Sequence, residues 1–416
     1  MTSPNSHIAN GKRPSVLVIG FNVRPLARSA KLAGYRVLAV DYWGDVDLPQ
    51  WADQHIAVLQ QDVEQRPDRP QVPTAQVLVK EAQQILSEHP PIEHILVGGG
   101  FDDNPDCWNA LITLGKLAGN TTEILQHARN RNQIATLAEK CGASIPDTYS
   151  FSNMETFRQA INRLDLPVVV KPKRGSGGFH TRLIQTEDEV EQYLRQHRFE
   201  PEDSMIVQEL IKGTDASVSI LGTGKEAYTV SINEQLIGLP QLGKGRTKAY
   251  CGNIVPLKSD SKTRRILARI SEKMATSLGL IGSNGFDFVV DSEGTPFFME
   301  VNPRFQATIE AIEFTTGINL VQCHLDACSG RLPSKRISYK GCCTRVIVYA
   351  RFPCSIPDLR ELPGVVDIPV PGSHAERGDP ICTVNHVAST RKEAFAGAWQ
   401  TVNIIYQMLS PLKPQC

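Results

Sequence analysis

Two apolar runs near residue 290 constrain this chain more than any other feature. Gly285-Phe286-Asp287-Phe288-Val289-Val290-Asp291 and Phe298-Met299-Glu300-Val301-Asn302-Pro303-Arg304 flank the polar turn Ser292 to Thr295. Runs of strand length, rich in Phe and Val around such a turn, predict a β-hairpin. Asp287 and Glu300 then lie on opposite strands, while Glu300 and Asn302, two residues apart, share one face. Glu300 stands in an otherwise apolar strand, where an unpaired carboxylate is costly. Three converging oxygen donors suit magnesium, which uses few protein ligands and leaves room for water and phosphate. Arg304, two residues beyond Asn302, supplies a fixed cation for a phosphate or carboxylate oxygen.

A second element precedes the hairpin. Val168-Val169-Val170-Lys171-Pro172 ends a hydrophobic strand on a lysine, and Gly175-Ser176-Gly177-Gly178 follows closely. Glycines let backbone N–H groups fold over phosphates. The run does not satisfy the P-loop pattern, so by itself it is a weak signal. In the third element, Ile206-Val207-Gln208-Glu209-Leu210-Ile211 and then Asp215, an extended segment offers backbone groups to an adenine edge. Its carboxylates can accept from the adenine amino group and the ribose hydroxyls.

Upstream, Ser15 to Gly20, a helical stretch and Arg36 to Asp41 read as a βαβ opening. A further strand follows at His94 to Gly100, after a helix from about Val77 to Ser87. Only Gly20 is glycine in the first turn, which argues against a dinucleotide. The strand ends carry Gly20-Phe21-Asn22-Val23-Arg24, Asp41 and Gly98-Gly99-Gly100-Phe101-Asp102-Asp103. Ligands of such units sit there, so Asn22, Arg24 and Asp102 are candidate substrate residues, as is Arg246 in the basic loop Gly238 to Asn253. A helix from Arg129 to Cys141, stopped by Gly142, opens a segment of alternating strands and helices.

The order of strand lysine, glycine loop, acidic hinge and D-x12-E-x-N-P-R resembles the ATP-grasp superfamily across roughly residues 125 to 335. The spacing of the last motif is similar to the metal site of D-alanine ligases and biotin carboxylases. The resemblance implies an α/β and α+β architecture: a disordered tail over 1–13, a Rossmann-like pre-ATP-grasp domain over 14–122, a two-subdomain ATP-grasp fold over 123–335, and a small C-terminal α+β lobe over 336–416. It implies that Lys171 contacts the α- and β-phosphates, that Gly175, Ser176, Gly177 and Gly178 cover the triphosphate, that Glu209, Leu210 and Ile211 hold adenine, and that Asp215 holds ribose. Asp287, Glu300 and Asn302 would bind magnesium, or manganese in its place, and Arg304 would orient the transferred phosphoryl group. Arg131 stands where many members carry an ATP-contacting lysine.

By the same resemblance the expected activity is an ATP-dependent carboxylate–amine ligase, working through an acyl phosphate and releasing ADP and phosphate. Two alternatives remain open: a carboxylase acting through carboxyphosphate, and a nucleotide-binding protein without turnover. The 44 basic and 44 acidic residues cancel, so charge points to neither nucleic acid nor membrane. No apolar stretch approaches the roughly 18 residues of a membrane span. The ten cysteines lack CxxC spacing, which favours reduced thiols and a cytoplasmic location. The expected partners are a small carboxylate and a small amine, with a homo-oligomer possible.

Overall fold

The computed structural model describes residues 13–61, 63, 74–89, 91–175, 178, 181–197, 205–243 and 248–412. The expected tail over 1–13 lies outside these residues except for Arg13, and Arg246, Ser176 and Gly177 lie outside them altogether.

The N-terminal unit is a parallel sheet in the order Gln54–Ala57, Arg36–Asp41, Ser15–Gly20, His94–Val97. Val16 to Ile19 and Val37 to Val40 are entirely buried, as expected of parallel strands covered on both faces. Helix Thr74–Ser87 packs Leu78, Ala82 and Ile85 into that core. The strand expected over residues 94 to 100 stops at Val97, and the following glycines form the loop that meets the site. Asp41, 2% exposed, accepts from the N–H groups of Val23, Trp43 and Gly44, each at 2.8 Å, and so ties the first two strand ends together.

Helix Arg131–Cys141 begins at Asn130, whose side chain accepts from Gln133, and ends at Gly142 with φ +100°. Beyond it, strands Thr148–Phe151, Met205–Glu209, Val168–Pro172 and Arg182–Ile184 form a small antiparallel sheet, in that order. Helices Met154–Ile161 and Glu187–Gln196 cover it through Phe157, Val190 and Leu194.

The largest sheet has eight strands. Its order is Pro296–Asn302, Ile281–Val290, Thr214–Thr223, Ala227–Ile237, Tyr250–Val255, Cys342–Tyr349, Pro380–Ala388 and Val365–Val366. A separate lobe was expected to begin at residue 336, yet the sheet runs straight through that position. Strand Tyr250–Val255 pairs with Cys342–Tyr349 in antiparallel register, so the last 75 residues extend the central sheet and close it with helix Arg391–Met408. All nine described cysteines are free. No described helix is long and apolar enough to cross a membrane.

Candidate active site

Between the small sheet and the large one lies a cavity of about 300 Å³. The hairpin supplies one wall. Asp287 and Glu300 are direct cross-strand partners, Gly285 pairs with Asn302, and the register shifts just after Asp287. The Asn302 amide donates to Asp287 Oδ2 at 3.0 Å and the Gln235 amide to Oδ1 at 3.0 Å. Burial first, and then the adjacent Glu300 carboxylate, hold the Asp287 carboxyl well above the usual carboxylate range. Two carboxylates pressed together in this way are a place where a divalent cation removes a repulsion. Among the described residues no group of three or more His, Cys, Asp or Glu forms a metal cluster. The donor set here is two carboxylates beside one amide, which suits a magnesium ion completed by phosphate and water.

Cations face this wall. Lys171, at the end of its strand, donates to Gln208 Oε1 at 2.8 Å. Burial, with the like charge of Arg131 behind it, lowers its ammonium to about 8, and Glu300 works in the opposite sense. Arg131 lines the cavity and donates from Nε to the Lys173 carbonyl at 3.0 Å. Its guanidinium is within electrostatic reach of Glu300, so the position expected to hold a lysine carries a cation directed at the same site. Glu209, Leu210, Ile211 and Asp215 line the cavity as well. The Asp215 carboxyl is raised by burial, an effect that Lys248 opposes.

Arg304 is gripped from the N-terminal unit. Its Nε donates to both oxygens of Asp102, at 2.8 and 2.9 Å, and its Nη1 to the Phe305 carbonyl at 3.0 Å. A Cβ at Gly99 would meet the Arg304 guanidinium at 3.6 Å, an ordinary contact distance, so the glycine loop lies directly against this arginine. Asp102, expected to bind substrate, therefore positions Arg304.

Sequence reasoning missed a neighbouring clamp. Arg129 makes a two-pronged pair with Asp103 at 2.8 Å, and Arg129 Nη2 also donates to the Gly175 carbonyl at 3.0 Å. Asp103 in turn accepts from the Gly175 N–H at 2.8 Å. The start of the glycine-rich run is thus pinned to the first unit. Gln208, Gln235 and Asn253 were also not singled out as ligands, yet they line the cavity, as does Tyr250 from the basic loop. Amides and phenols in strands carry no spacing signature.

Arg24 does not fit the expected role. It is 1% exposed, donates from Nε to Asp367 at 2.6 Å and from Nη1 to Glu310 at 2.7 Å, and lies 3.3 Å from Asp47. With its nitrogens committed to three carboxylates, it joins domains and cannot receive a substrate carboxylate. Arg28 is committed too, to Glu313 at 3.0 Å and to the face of Phe314. Asn22 keeps an unpartnered side-chain oxygen at the edge of a second cavity.

Residues 128–308 match the sequence profile of the ATP-grasp domain. An uncharacterized protein of Methanocaldococcus jannaschii is 25% identical over 90% of this chain and 88% of its own length. Among solved structures, the biotin carboxylase domain of Hydrogenobacter thermophilus 2-oxoglutarate carboxylase, in complex with MgADP, ADP and bicarbonate, has a TM-score of 0.70 at 15% identity. The likeness covers 95% of this chain and 90% of that one. The L-amino acid ligase of Bacillus licheniformis has a TM-score of 0.67 at 17% identity, covering 97% of this chain and all of that one. At these identities the structural likeness speaks to fold.

Proposed function

We propose that this chain, whose residues 128–308 match the ATP-grasp domain profile, is an ATP-dependent ligase that activates a small carboxylate as an acyl phosphate and joins it to an amine. The observation that carries the reading is the meeting, in one cavity, of the Asp287–Glu300 carboxylate pair with Lys171, Arg131 and Arg304. ATP is the phosphoryl donor and a substrate of the reaction. Magnesium, held by Asp287 and Glu300 with Asn302 beside them, would supply charge neutralisation on the phosphate oxygens.

The chain's own residues account for the rest. Glu209, Leu210 and Ile211, which line the cavity, would hold adenine, and Asp215, which also lines it, would hold ribose. Lys171 and Arg131 neutralise phosphate oxygens, while the glycines from Gly175 to Gly178 allow backbone N–H groups to approach them. Gly178 adopts φ +71°, and a side chain there would overlap the Lys248 carbonyl, so Gly178 lies against the backbone just before strand Tyr250–Val255. Arg304, fixed by Asp102, presents a guanidinium where charge grows on the transferring phosphoryl group. The amine then displaces phosphate from the acyl carbon, losing a proton to form the amide.

The test is ADP release from magnesium and ATP across a matrix of carboxylates and amines, with bicarbonate as a separate arm and Glu300→Gln as the blank. The ligase reading expects release that needs both a carboxylate and an amine. Bicarbonate-dependent release without amine would make the protein a carboxylase. Tight ATP binding with no release in any arm would make it a nucleotide-binding protein without turnover.

A further inference from the structure

A second cavity, of about 220 Å³, lies on the far side of Tyr250, between the N-terminal unit and the C-terminal strands. Phe21, Trp43, Tyr250 and Tyr349 form much of its wall, with Ile347 and Ile356. Phe21 stacks on Tyr42 at 4.7 Å and meets Trp43 edge-on at 5.3 Å, so the aromatic side is a packed unit. Tyr250 borders both cavities, and its hydroxyl donates to Asn253, which lines the first.

One group is out of place in such a lining. Asp45 faces this cavity and is 7% exposed, and its carboxylate has no hydrogen bond or ion pair among the described residues. Every other carboxylate around it is compensated. Asp41 accepts three backbone N–H groups, and Asp47 accepts those of Asp367 and Ile368 at 3.0 Å. Asp367 is paired with Arg24 and Arg345, and Glu310 with Arg24 and Asn385. Arg345 also lines the cavity; its charge faces Asp367 at 3.3 Å and Glu310 at 3.7 Å, although its Nε and Nη1 have no hydrogen-bond partner. A second acceptor faces the same space: the Asn22 side-chain oxygen is buried, lines the cavity and has no partner.

Burial and the nearby carboxylates of Asp41, Asp367 and Asp47 hold the Asp45 carboxyl well above the usual range, so a cation is what would relieve it; beside an aromatic wall and the Asn22 oxygen this calls for a compact apolar body carrying several N–H donors and one positive charge. We propose that this cavity binds a small primary amine in its ammonium form, with the nitrogen donating to Asp45 and Asn22 and the apolar body lying against Phe21 and Trp43. The binding does not depend on the ligase reading. Where that reading holds, the wall shared at Tyr250 makes this cavity the place from which the amine is supplied.

Calorimetric titration of the full chain without nucleotide tests it, so that neither result depends on turnover. The probes are isoamylamine and benzylamine, with their alcohols as neutral isosteres and benzoate as the anion. The expected result is that at least one amine binds tenfold or more tightly than its alcohol and than benzoate. Asp45→Asn is expected to abolish that preference while magnesium–ATP affinity stays within twofold. Asn22→Leu is an independent second variant and is expected to weaken the amine at least threefold. Amine and alcohol binding equally, no amine binding, a preference for benzoate, or an unchanged preference in Asp45→Asn would each overturn the proposal.

Discussion

Lys171 and Asp287 are each held in an environment that disfavours their charge, and each needs the ligand to relieve it. The Lys171 ammonium, lowered by burial to about 8, binds its proton less tightly in the folded protein than in the unfolded chain. Its contribution to stability is therefore present above the ordinary lysine range and lost as pH falls towards 8. Lys171→Met is expected to melt no lower than the parent at pH 7 without ligand, while losing roughly a hundredfold or more in ADP release. A variant that melts far lower while retaining turnover would contradict this. Asp287 carries the opposite sign. Its carboxyl is raised, so the ligand-free protein loses stability as pH rises above the ordinary carboxylate range. Magnesium should restore the loss in the parent and not in Asp287→Asn, which is expected to gain about 1 kcal/mol in chelator. Thermal melts with and without magnesium at several pH values check both statements. Both residues were legible in the sequence because each is a charge inside an apolar run. Arg24 was misread for the same reason in reverse: a charge beside a strand end looks free until its partners Glu310 and Asp367, 286 and 343 residues away, are in view.

At the scale of elements, the hairpin and the first two parallel strands fall where the residue pattern puts them. Helices Pro105–Leu114 and Ile309–Thr316 and strand Ala227–Ile237 were not anticipated. The second helix is buried on nearly every side, which erases the amphipathic period by which a surface helix is read. The hairpin's placement depends on close approach elsewhere in its strand. Gly282 has φ +73°, and a side chain there would overlap the His324 ring, which is itself fully enclosed and lowered by burial to about 4. Gly282→Ala is expected to cost about 2–3 kcal/mol in chemical denaturation, while surviving folded enzyme keeps its affinity for ATP. Loss of affinity without loss of stability would show that the strand's position is not set there. Nothing in the sequence distinguished the glycines of this strand from those of the run Gly175 to Gly178, expected to cover phosphates.

At the scale of the whole molecule, three stretches of chain meet at one buried cluster. Arg24 comes from the first unit, Glu310 from the helix after the hairpin, and Arg345 and Asp367 from the C-terminal strands. Removing one partner strands the others in a dry interior. Arg24→Met is therefore expected to destabilise the fold by about 3–5 kcal/mol, seen as a lower denaturation midpoint, with no selective rise in KM for a carboxylate substrate. A rise in KM alone would return Arg24 to the substrate. The same cluster explains why a separate C-terminal lobe was expected and a continuous sheet is found: strand pairing between Tyr250–Val255 and Cys342–Tyr349 is a long-range event with no local signature. Oxygen tracing decides whether ATP activates a carboxylate in the cavity of Asp287, Glu300 and Lys171. With the carboxylate that supports ADP release labelled with 18O, the account predicts that the phosphate formed carries one labelled oxygen per turnover, and that Glu300→Gln forms none. Phosphate that takes its oxygen only from solvent water would contradict it.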